Sequence, residues 1–149
     1  MSISPIAVID ANLAILSTLN TPVTAQASRV LEHLLDQQVR LFAPRLWWYE
    51  VTSVVHKYLY DRLLTPTLAD QALSIILGLA IQPMDEDDQL CRAAFRWATR
   101  LEQRDAYDGF YLAAAEQLDA ELWTADRRLA NNAGRIGVKW VHWMGELSS

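Results

Sequence analysis

The sequence predicts an α/β fold in which a mostly parallel five-stranded sheet is flanked by helices as a three-layer sandwich. Short apolar runs alternate along the chain with amphipathic helical patterns, and strands separated by helices imply right-handed crossovers between parallel strands. The 149 residues fit a single domain over residues 1–149, and 52% hydrophobic residues are enough for a continuous core. Ligands of such sheets bind beyond the carboxyl ends of the strands, so we expect the functional residues there.

Five short runs of mainly apolar residues are the predicted strands. The first of them begins almost at the start of the chain, and Pro44 ends the second, because proline cannot donate a backbone hydrogen bond to a neighbouring strand. The predicted strands cover residues 6–9, 41–43, 80–82, 121–124 and 139–142.

Three helices are predicted before residue 80. Thr21-Pro22 predicts the start of the first, because threonine caps helix N-termini and proline is favoured at the first helical position. The second extends over about residues 45–63, where apolar residues recur at helical spacing. The third begins at Pro66, and Thr67 and Asp70 have the spacing of a capping box.

Three more helices are predicted in the second half. Asp85 and Asp88 are expected to cap a helix whose apolar face extends to Leu101. A helix over residues 107–118 follows, and a short one from Arg127 ends near residue 134. Each lies between two predicted strands or precedes one, as the parallel sheet requires.

The overall charge restricts any nucleic-acid role. A net charge of -5 and a pI of about 5.1 give a surface that repels phosphate backbones, so such a role needs a local site or bound cations. Cys91 is the only cysteine, which excludes an internal disulfide and a thiolate metal cluster. With no leader in residues 1–10 and no apolar run of membrane-spanning length, we expect a cytoplasmic protein without a membrane partner.

Two aspartates follow predicted strands. Asp10 comes directly after residues 6–9, and Asp126 comes shortly after residues 121–124. Each is open to a second interpretation as a helix N-cap or turn residue, which is a common role for aspartate. In one parallel sheet, however, both would lie along the same edge, where a shared site is expected.

Two further acids lie on predicted helices. Glu50 is at the margin of a broad apolar arc and needs a partner, either an arginine or a metal ion. Asp108 is in the first turn of its helix and projects with the inward stripe, which favours a functional role over a structural one. That stripe is predicted to contain Tyr107, Phe110, Tyr111, Ala114, Ala115 and Leu118.

The four acids together predict a metal site. Crowded carboxylates take up protons near neutral pH unless a cation lies between them. Oxygen-only ligands suit Mg²⁺ or Mn²⁺ better than zinc, and such ions assist phosphoryl chemistry. The predicted metal ligands and catalytic residues are Asp10, Glu50, Asp108 and Asp126.

Four segments of the chain resemble the PIN-domain nucleases, and most closely the VapC-type toxin ribonucleases of type II toxin–antitoxin systems. They occur in the family's order from end to end, so the resemblance covers nearly the whole chain. The matching segments are Val8-Ile9-Asp10-Ala11-Asn12, Tyr49-Glu50-Val51, Ala106-Tyr107-Asp108-Gly109-Phe110-Tyr111-Leu112-Ala113 and Leu122-Trp123-Thr124-Ala125-Asp126.

The resemblance implies a PIN-like fold and a Mg²⁺- or Mn²⁺-dependent endoribonuclease that cuts cellular RNA. The family's acidic cluster maps onto the four acids named above, and its small polar positions map onto Asn12 and Thr124. It also implies a homodimer and a small antitoxin partner. Where many relatives carry a further acid beyond the last motif, this chain has Arg127 and Arg128, which puts a second metal ion in doubt.

Two other functions compete with the ribonuclease. The first is a non-catalytic RNA-binding or scaffold version of the same fold, which need not bind Mg²⁺ at the acidic cluster. The second is a phospho-accepting receiver module, which requires adjacent acids after the first strand and a lysine after the last. Asp10 stands alone here, and Lys139 begins the last predicted strand, so the receiver is disfavoured.

The tryptophans and the acidic run Asp85–Asp88 are not predicted to take part in catalysis. The acidic run is predicted to be a solvated helix start. Trp97 and Trp123 fit core positions, whereas the other four are predicted to offer a partner surface, since aromatics are enriched at interfaces. Those four are Trp47, Trp48, Trp140 and Trp143.

Overall fold

The computed structural model describes residues 5–147, and its five strands form one parallel sheet. The strand order is β3-β2-β1-β4-β5, so β1 is central and β3 and β5 are the edges. This confirms the predicted α/β class. The strands are β1 (Ile6–Ile9), β2 (Arg40–Pro44), β3 (Ile81–Met84), β4 (Glu121–Thr124) and β5 (Val141–Trp143).

Seven α-helices connect the strands. The chain moves from β1 outward to β3 and then crosses to β4 and β5. Right-handed crossovers therefore place α1–α4 on one face and α5–α7 on the other, which gives the predicted three layers. The helices are α1 (Ala11–Leu16), α2 (Thr24–Asp36), α3 (Leu46–Tyr60), α4 (Pro66–Leu77), α5 (Asp88–Arg100), α6 (Tyr107–Leu118) and α7 (Arg127–Arg135).

Three predicted helix caps are wrong by a few residues. The helix expected at Thr21 begins at Thr24, and the hydroxyls of these two threonines lie 2.9 Å apart in a preceding turn. The cap of α4 is Thr65 rather than Thr67, because Pro66 occupies the first helical position. Asp87, not Asp85, caps α5 by accepting a bond from the Leu90 amide at 2.8 Å.

Helix α1 was not predicted, and it contributes to the site because Asp10 caps its N-terminus. It follows β1 directly and has only six residues, too few for a clear helical period in the sequence. The predicted boundaries of β1, β4 and α6 are confirmed, whereas β3 and β5 lie one or two residues later than expected. Pro83 is tolerated within β3 because that strand is at the sheet edge.

The core lies on both faces of the sheet and includes more tryptophan than expected. Trp97 and Trp123 are buried, as predicted. Trp47 is fully buried, so its assignment to a partner surface is wrong; its ring packs edge-on against Trp48 at 4.9 Å between centroids. Within residues 5–147, no helix combines the length and the apolar character needed to cross a bilayer.

Candidate active site

Asp10 and Asp126 lie at the carboxyl ends of the neighbouring strands β1 and β4. The strands pair in register with Ile9 opposite Trp123, and the Asp10 amide donates to the Trp123 carbonyl at 3.2 Å. Both aspartates also cap helices. Asp10 Oδ1 accepts from the Leu13 amide at 2.9 Å. Asp126 Oδ1 accepts from the backbone amides of Arg128 at 2.9 Å and of Leu129 at 3.2 Å. The capping interpretation is therefore correct for both.

Thr124 connects these two aspartates. Its side chain is fully buried, and its hydroxyl donates to Asp10 Oδ2 while accepting the Asp126 amide at 2.9 Å. The Ala125 amide adds a second bond to Asp10 Oδ2 at 3.3 Å. Both oxygens of Asp10 are thus held in place, which fixes this carboxylate at the end of the central strand.

Glu50 reaches the site from α3. It is half-buried, as its place at the margin of the apolar arc predicted, but its partner is neither an arginine nor another ionised group. The buried Tyr111 hydroxyl donates to Glu50 Oε1. Sequence reasoning placed Tyr111 only in the core, although a buried tyrosine hydroxyl normally needs a polar partner and so indicated one nearby.

Asp108 projects from the first turn of α6. It is half-buried, and Gln103 Nε2 donates to its Oδ2 at 3.1 Å. Gln103 lies in the loop before α6 and no sequence pattern indicated its role. The predicted inward stripe is partly wrong, because Tyr107 is 57% exposed and the helix instead buries Gly109, Leu112 and Ala113 as well.

Gly109 fixes the position of α6 against α5. A Cβ built at this glycine would lie 2.3 Å from the Ala94 carbonyl oxygen, which is backbone and cannot move aside. The absence of a side chain therefore lets the two helices approach closely. Asp108 precedes this contact by one residue, so the close packing also sets where the carboxylate enters the site.

Three of the four acids line one open cleft of about 510 Å³. Glu50, Asp108 and Asp126 lie around it, with the loop between α5 and α6 on one side and α7 on the other. Asp10 is not among the lining residues. Asn12 is exposed and lines a separate depression that it shares with Asp126, so the structure does not bring it into this cleft.

Burial dominates the electrostatics of three acids. It raises the pKa of Asp10 to about 6, against the opposing hydrogen bonds from Thr124, Leu13 and Ala125. Burial also raises the pKa values of Glu50 and Asp108 above their ordinary ranges. The charge of Asp108 contributes to raising the pKa of Asp10 and of Glu50, so Asp108 is the member that couples the cluster.

The chemistry of this donor set fits a hard divalent cation. Hydrogen bonds within residues 5–147 use only one oxygen each of Glu50, Asp108 and Asp126. The buried Gln103 Oε1 has no donor among the described residues. Across that part of the chain, however, no three acidic, histidine or cysteine side chains have the spacing to hold one ion as they stand. Repulsion acts over a longer distance than coordination, so the acids can be coupled without touching one ion.

Comparison with known proteins identifies the fold. A family model described as the PIN domain matches residues 8–139. No curated protein sequence matches this chain. Among solved structures, the chain is similar to VapBC2 from Rickettsia felis bound to a DNA fragment from its promoter, with a TM-score of 0.66 and 17% identity over 93% of this chain and 98% of that one.

Two other structures have the same fold. The chain is similar to PAE2754 from Pyrobaculum aerophilum, with a TM-score of 0.65 and 20% identity over 97% of this chain and 95% of that one. It is also similar to VapC20 from Mycobacterium tuberculosis, described as a toxin that cleaves the sarcin-ricin loop, with a TM-score of 0.63 and 13% identity. That similarity covers 91% of this chain and 98% of VapC20.

Proposed function

This chain belongs to the PIN-domain family, and from that premise we propose that it is a metal-dependent endoribonuclease, the toxin of a type II toxin–antitoxin pair. The observation that carries the proposal is the convergence of Glu50, Asp108 and Asp126 on one cleft, where none of them forms an ion pair within residues 5–147. Similarity to VapC20, a toxin described as cleaving the sarcin-ricin loop, favours RNA as the substrate class.

The four acids share one role in the proposed site, as ligands of a divalent cation. Asp10, Glu50, Asp108 and Asp126 would hold Mg²⁺ or Mn²⁺ after side-chain rotations, since no three of them have the spacing to hold one ion as they stand. When bound, such a cation supplies hydroxide at neutral pH and neutralises charge on the phosphate. We assign Thr124 the task of orienting Asp10, through the hydrogen bond that its hydroxyl donates.

Two neutral residues would keep the other acids in place. Tyr111 donates to Glu50, and Gln103 donates to Asp108, so neither competes with a cation as an arginine would. Burial and the nearby Glu50 raise the pKa of Tyr111, so its hydroxyl stays protonated and remains a donor. We leave Asn12 outside the metal site, since it lines a different depression.

We propose a small antitoxin as the protein partner, on the outer surface of α3 and α4. Solved structures of similar fold include a toxin–antitoxin complex from Klebsiella pneumoniae. Exposed apolar side chains are concentrated on this part of the chain, beside an apolar groove of about 320 Å³. A contiguous exposed apolar surface commonly marks a protein interface. The exposed side chains are Tyr60, Leu63, Leu68, Ile75 and Leu77.

The antitoxin surface can be tested by growth. Expression of the chain in the cytoplasm of a bacterium should arrest growth of the culture. Co-expression of the small protein encoded beside it should relieve the arrest. Ile75→Asp puts a charge on the α3–α4 surface, since Ile75 is 58% exposed, and should prevent relief while RNA cleavage is unchanged. Full relief with the variant would place the interface elsewhere. We also propose a homodimer, as the family resemblance implies, and light scattering of the purified chain tests it.

The nuclease activity is tested with purified protein and cellular RNA. We expect cleavage with Mg²⁺ or Mn²⁺, none in EDTA, and none for Asp10→Asn, whose fold circular dichroism should show to be intact. Mapping transcript ends after expression of wild type and Asp10→Asn would identify the cleaved RNA. Full activity in EDTA or in Asp10→Asn would reject the proposal. Calorimetry separates the scaffold alternative, which predicts no Mg²⁺ binding at the acids.

A further inference from the structure

The outward side of α5 is basic, in contrast to the net negative charge of the chain. Its inward side is buried against α6, whereas Arg92, Phe95, Arg96 and Arg100 are exposed; we call these four residues the α5 face. The three arginines are spaced four residues apart, which places them along one side of a helix. Between residues 91 and 104 the sequence has four arginines and a single acid, Glu102, in a chain whose net charge is -5.

Phe95 is the unusual member of the α5 face. Its side chain is 70% exposed, although phenylalanine is normally buried in a soluble domain. It lines a shallow depression of about 380 Å³ together with Cys91, Arg92 and Arg96. An exposed aromatic ring between guanidinium groups is the combination that binds single-stranded nucleic acid, because the ring stacks on an unpaired base and the cations contact phosphates.

The arginines of the α5 face are available to a ligand. Arg92 pairs with Asp88 at 2.8 Å, but both side chains are more than 70% exposed, and exposed pairs of this kind are weak. The Arg100 guanidinium lies 4.6 Å from the centroid of the Trp97 ring, which holds it against the helix. Arg96 forms no ion pair with any residue between 5 and 147.

The α5 face leads to the acidic cleft. Helix α5 ends at Arg100, and the loop that follows contributes Gln103 and Arg104 to the cleft wall next to Asp108. Arg128 lines the same cleft from α7. Basic residues are therefore arranged from the outer surface of α5 to the rim of the cleft, where a strand could reach the acids without meeting a continuous negative surface.

We propose that the α5 face binds the single-stranded RNA that flanks the cleaved phosphodiester, with Phe95 stacking on one unpaired base and Arg96 and Arg100 contacting phosphates. The choice of RNA and the relation to cleavage rest on the proposed nuclease function. The alternative, that Phe95 is covered by a second copy of this chain, is an outcome of the test below.

The test measures RNA binding without catalysis. Fluorescence anisotropy with a fluorescein-labelled, mixed-sequence single-stranded RNA, in EDTA, reports affinity for the metal-free protein. Phe95→Ala should weaken binding about tenfold and Phe95→Trp should restore it, since any aromatic ring can stack. Arg96→Gln should lower the slope of log Kd against log salt by roughly 0.7, the value for one phosphate contact on a single strand.

Matched controls exist at the end of α3. Tyr60 and Arg62 are an exposed aromatic residue and an exposed arginine outside the α5 face, so Tyr60→Ala and Arg62→Gln should leave RNA affinity unchanged. Equal affinities for Phe95→Ala and Tyr60→Ala would overturn the proposal. So would a Phe95→Ala variant that loses a dimer in light scattering but binds RNA normally, since the face would then be a protein contact.

The outcome is separable from that of the nuclease proposal. If wild type fails to cleave RNA but Phe95→Ala still reduces binding, the nuclease is rejected and the α5 face stands. If wild type cleaves RNA and Phe95→Ala changes neither binding nor KM, the nuclease stands and the α5 face is rejected. With both correct, Phe95→Ala raises KM several-fold while kcat is retained, as expected for a contact remote from the reacting phosphate.

Discussion

The chain contains two groups of four acids whose surroundings differ. The first, which we call the cleft acids, consists of Glu50, Asp108 and Asp126, which line the cleft, and of Asp10, whose pKa the charge of Asp108 helps to raise. The second is the run Asp85–Asp88 at the start of α5. The first group is spread over the chain and is predicted to converge in the fold, whereas the second is contiguous in the sequence. Their partners in the fold separate them.

Each acid of the run Asp85–Asp88 has a positively charged or capping partner. Asp85 pairs with Arg45, and Asp88 pairs with Arg92. Glu86 accepts the Leu46 amide at the start of α3 at 2.9 Å, and Asp87 caps α5. The negative charge of this run is therefore used within the fold, as predicted for a helix start.

The cleft acids have no such cationic partners. Their side-chain donors are the neutral groups of Thr124, Tyr111 and Gln103, and no lysine, arginine or histidine within residues 5–147 forms an ion pair with them. Burial raises the pKa of three of these acids. The difference favours the cleft acids as the functional cluster that we propose, because no ion pair compensates their charge and an external cation can then do so.

The largest expected effect is on the rate of RNA cleavage, which should depend on the cleft acids and not on the run Asp85–Asp88. Asp108→Asn removes one proposed ligand and should reduce RNA cleavage by more than about 100-fold, since even the loss of an outer hydrogen-bond partner of a metal ligand costs 10- to 100-fold. Asp85→Asn only weakens an exposed ion pair and should leave the rate unchanged. Initial rates with Mn²⁺ measure both. Comparable losses in the two variants would remove the distinction.

Much of this contrast was open to sequence reasoning. Asp10 and Asp126 follow predicted strands, and neighbouring parallel strands end at one edge, so their proximity followed from topology. Asp108 was identified from helical spacing within α6, whose predicted boundaries are confirmed. The solvated character of the run Asp85–Asp88 followed from its place before an amphipathic helix.

The parts that were missed depend on contacts between distant residues. Tyr111 and Glu50 are 61 positions apart, and only the tertiary fold brings the hydroxyl on α6 to the carboxylate on α3. Gln103 acts from a loop without periodicity. The need for glycine at position 109 arises from the close approach of Ala94 on another helix. Trp47 was misplaced because two adjacent tryptophans on α3 cannot be assigned to core or surface by type alone.

The second prediction concerns folding stability and pH. The pKa of Asp10 is about 6 in the folded chain and 3.8 as the ordinary value, so the folded state binds more protons between these values. The free energy of unfolding of the metal-free protein therefore falls as pH rises from 4 to 7, by up to about 3 kcal/mol from this group. Asp10→Asn should remove that share of the decline, as measured by urea unfolding across the range.

Asp87→Asn is the control for this prediction. Asparagine caps helices as well as aspartate does, so both substitutions keep a cap and remove a charge. At pH 7, Asp87→Asn should change stability by less than about 0.5 kcal/mol, which is usual for a surface substitution. If the free energy of unfolding depended on pH equally in Asp10→Asn and in wild type, ionisation of Asp10 would not be the cause of the decline.

The third prediction tests the neutral donors of the cleft. Tyr111→Phe removes the hydroxyl that orients Glu50 and changes little else in the core, since Tyr111 is 2% exposed and keeps its ring. We expect Mn²⁺ affinity, measured by calorimetry, to fall about 10- to 100-fold, the usual effect of losing an outer partner of a metal ligand. Tyr60→Phe is the control, because it removes an exposed hydroxyl outside both depressions that Asp126 lines. Equal affinities in the two variants would leave Tyr111 a core residue only.

The smallest effect is expected at the helix cap of the second group. Asp87→Ala removes the acceptor for the Leu90 amide and should destabilise the fold by about 1 kcal/mol, which lowers Tm by roughly 2–4 °C in a chain of this size. Mn²⁺ affinity and the rate of RNA cleavage should not change. At pH 7, loss of the charge would thus stabilise the metal-free protein at Asp10, whereas at Asp87 the loss of the cap, and not of the charge, would destabilise it. If Asp87→Ala instead impaired metal binding, the acidic run would belong with the cleft acids, and the comparison between uncompensated and compensated charge would fail.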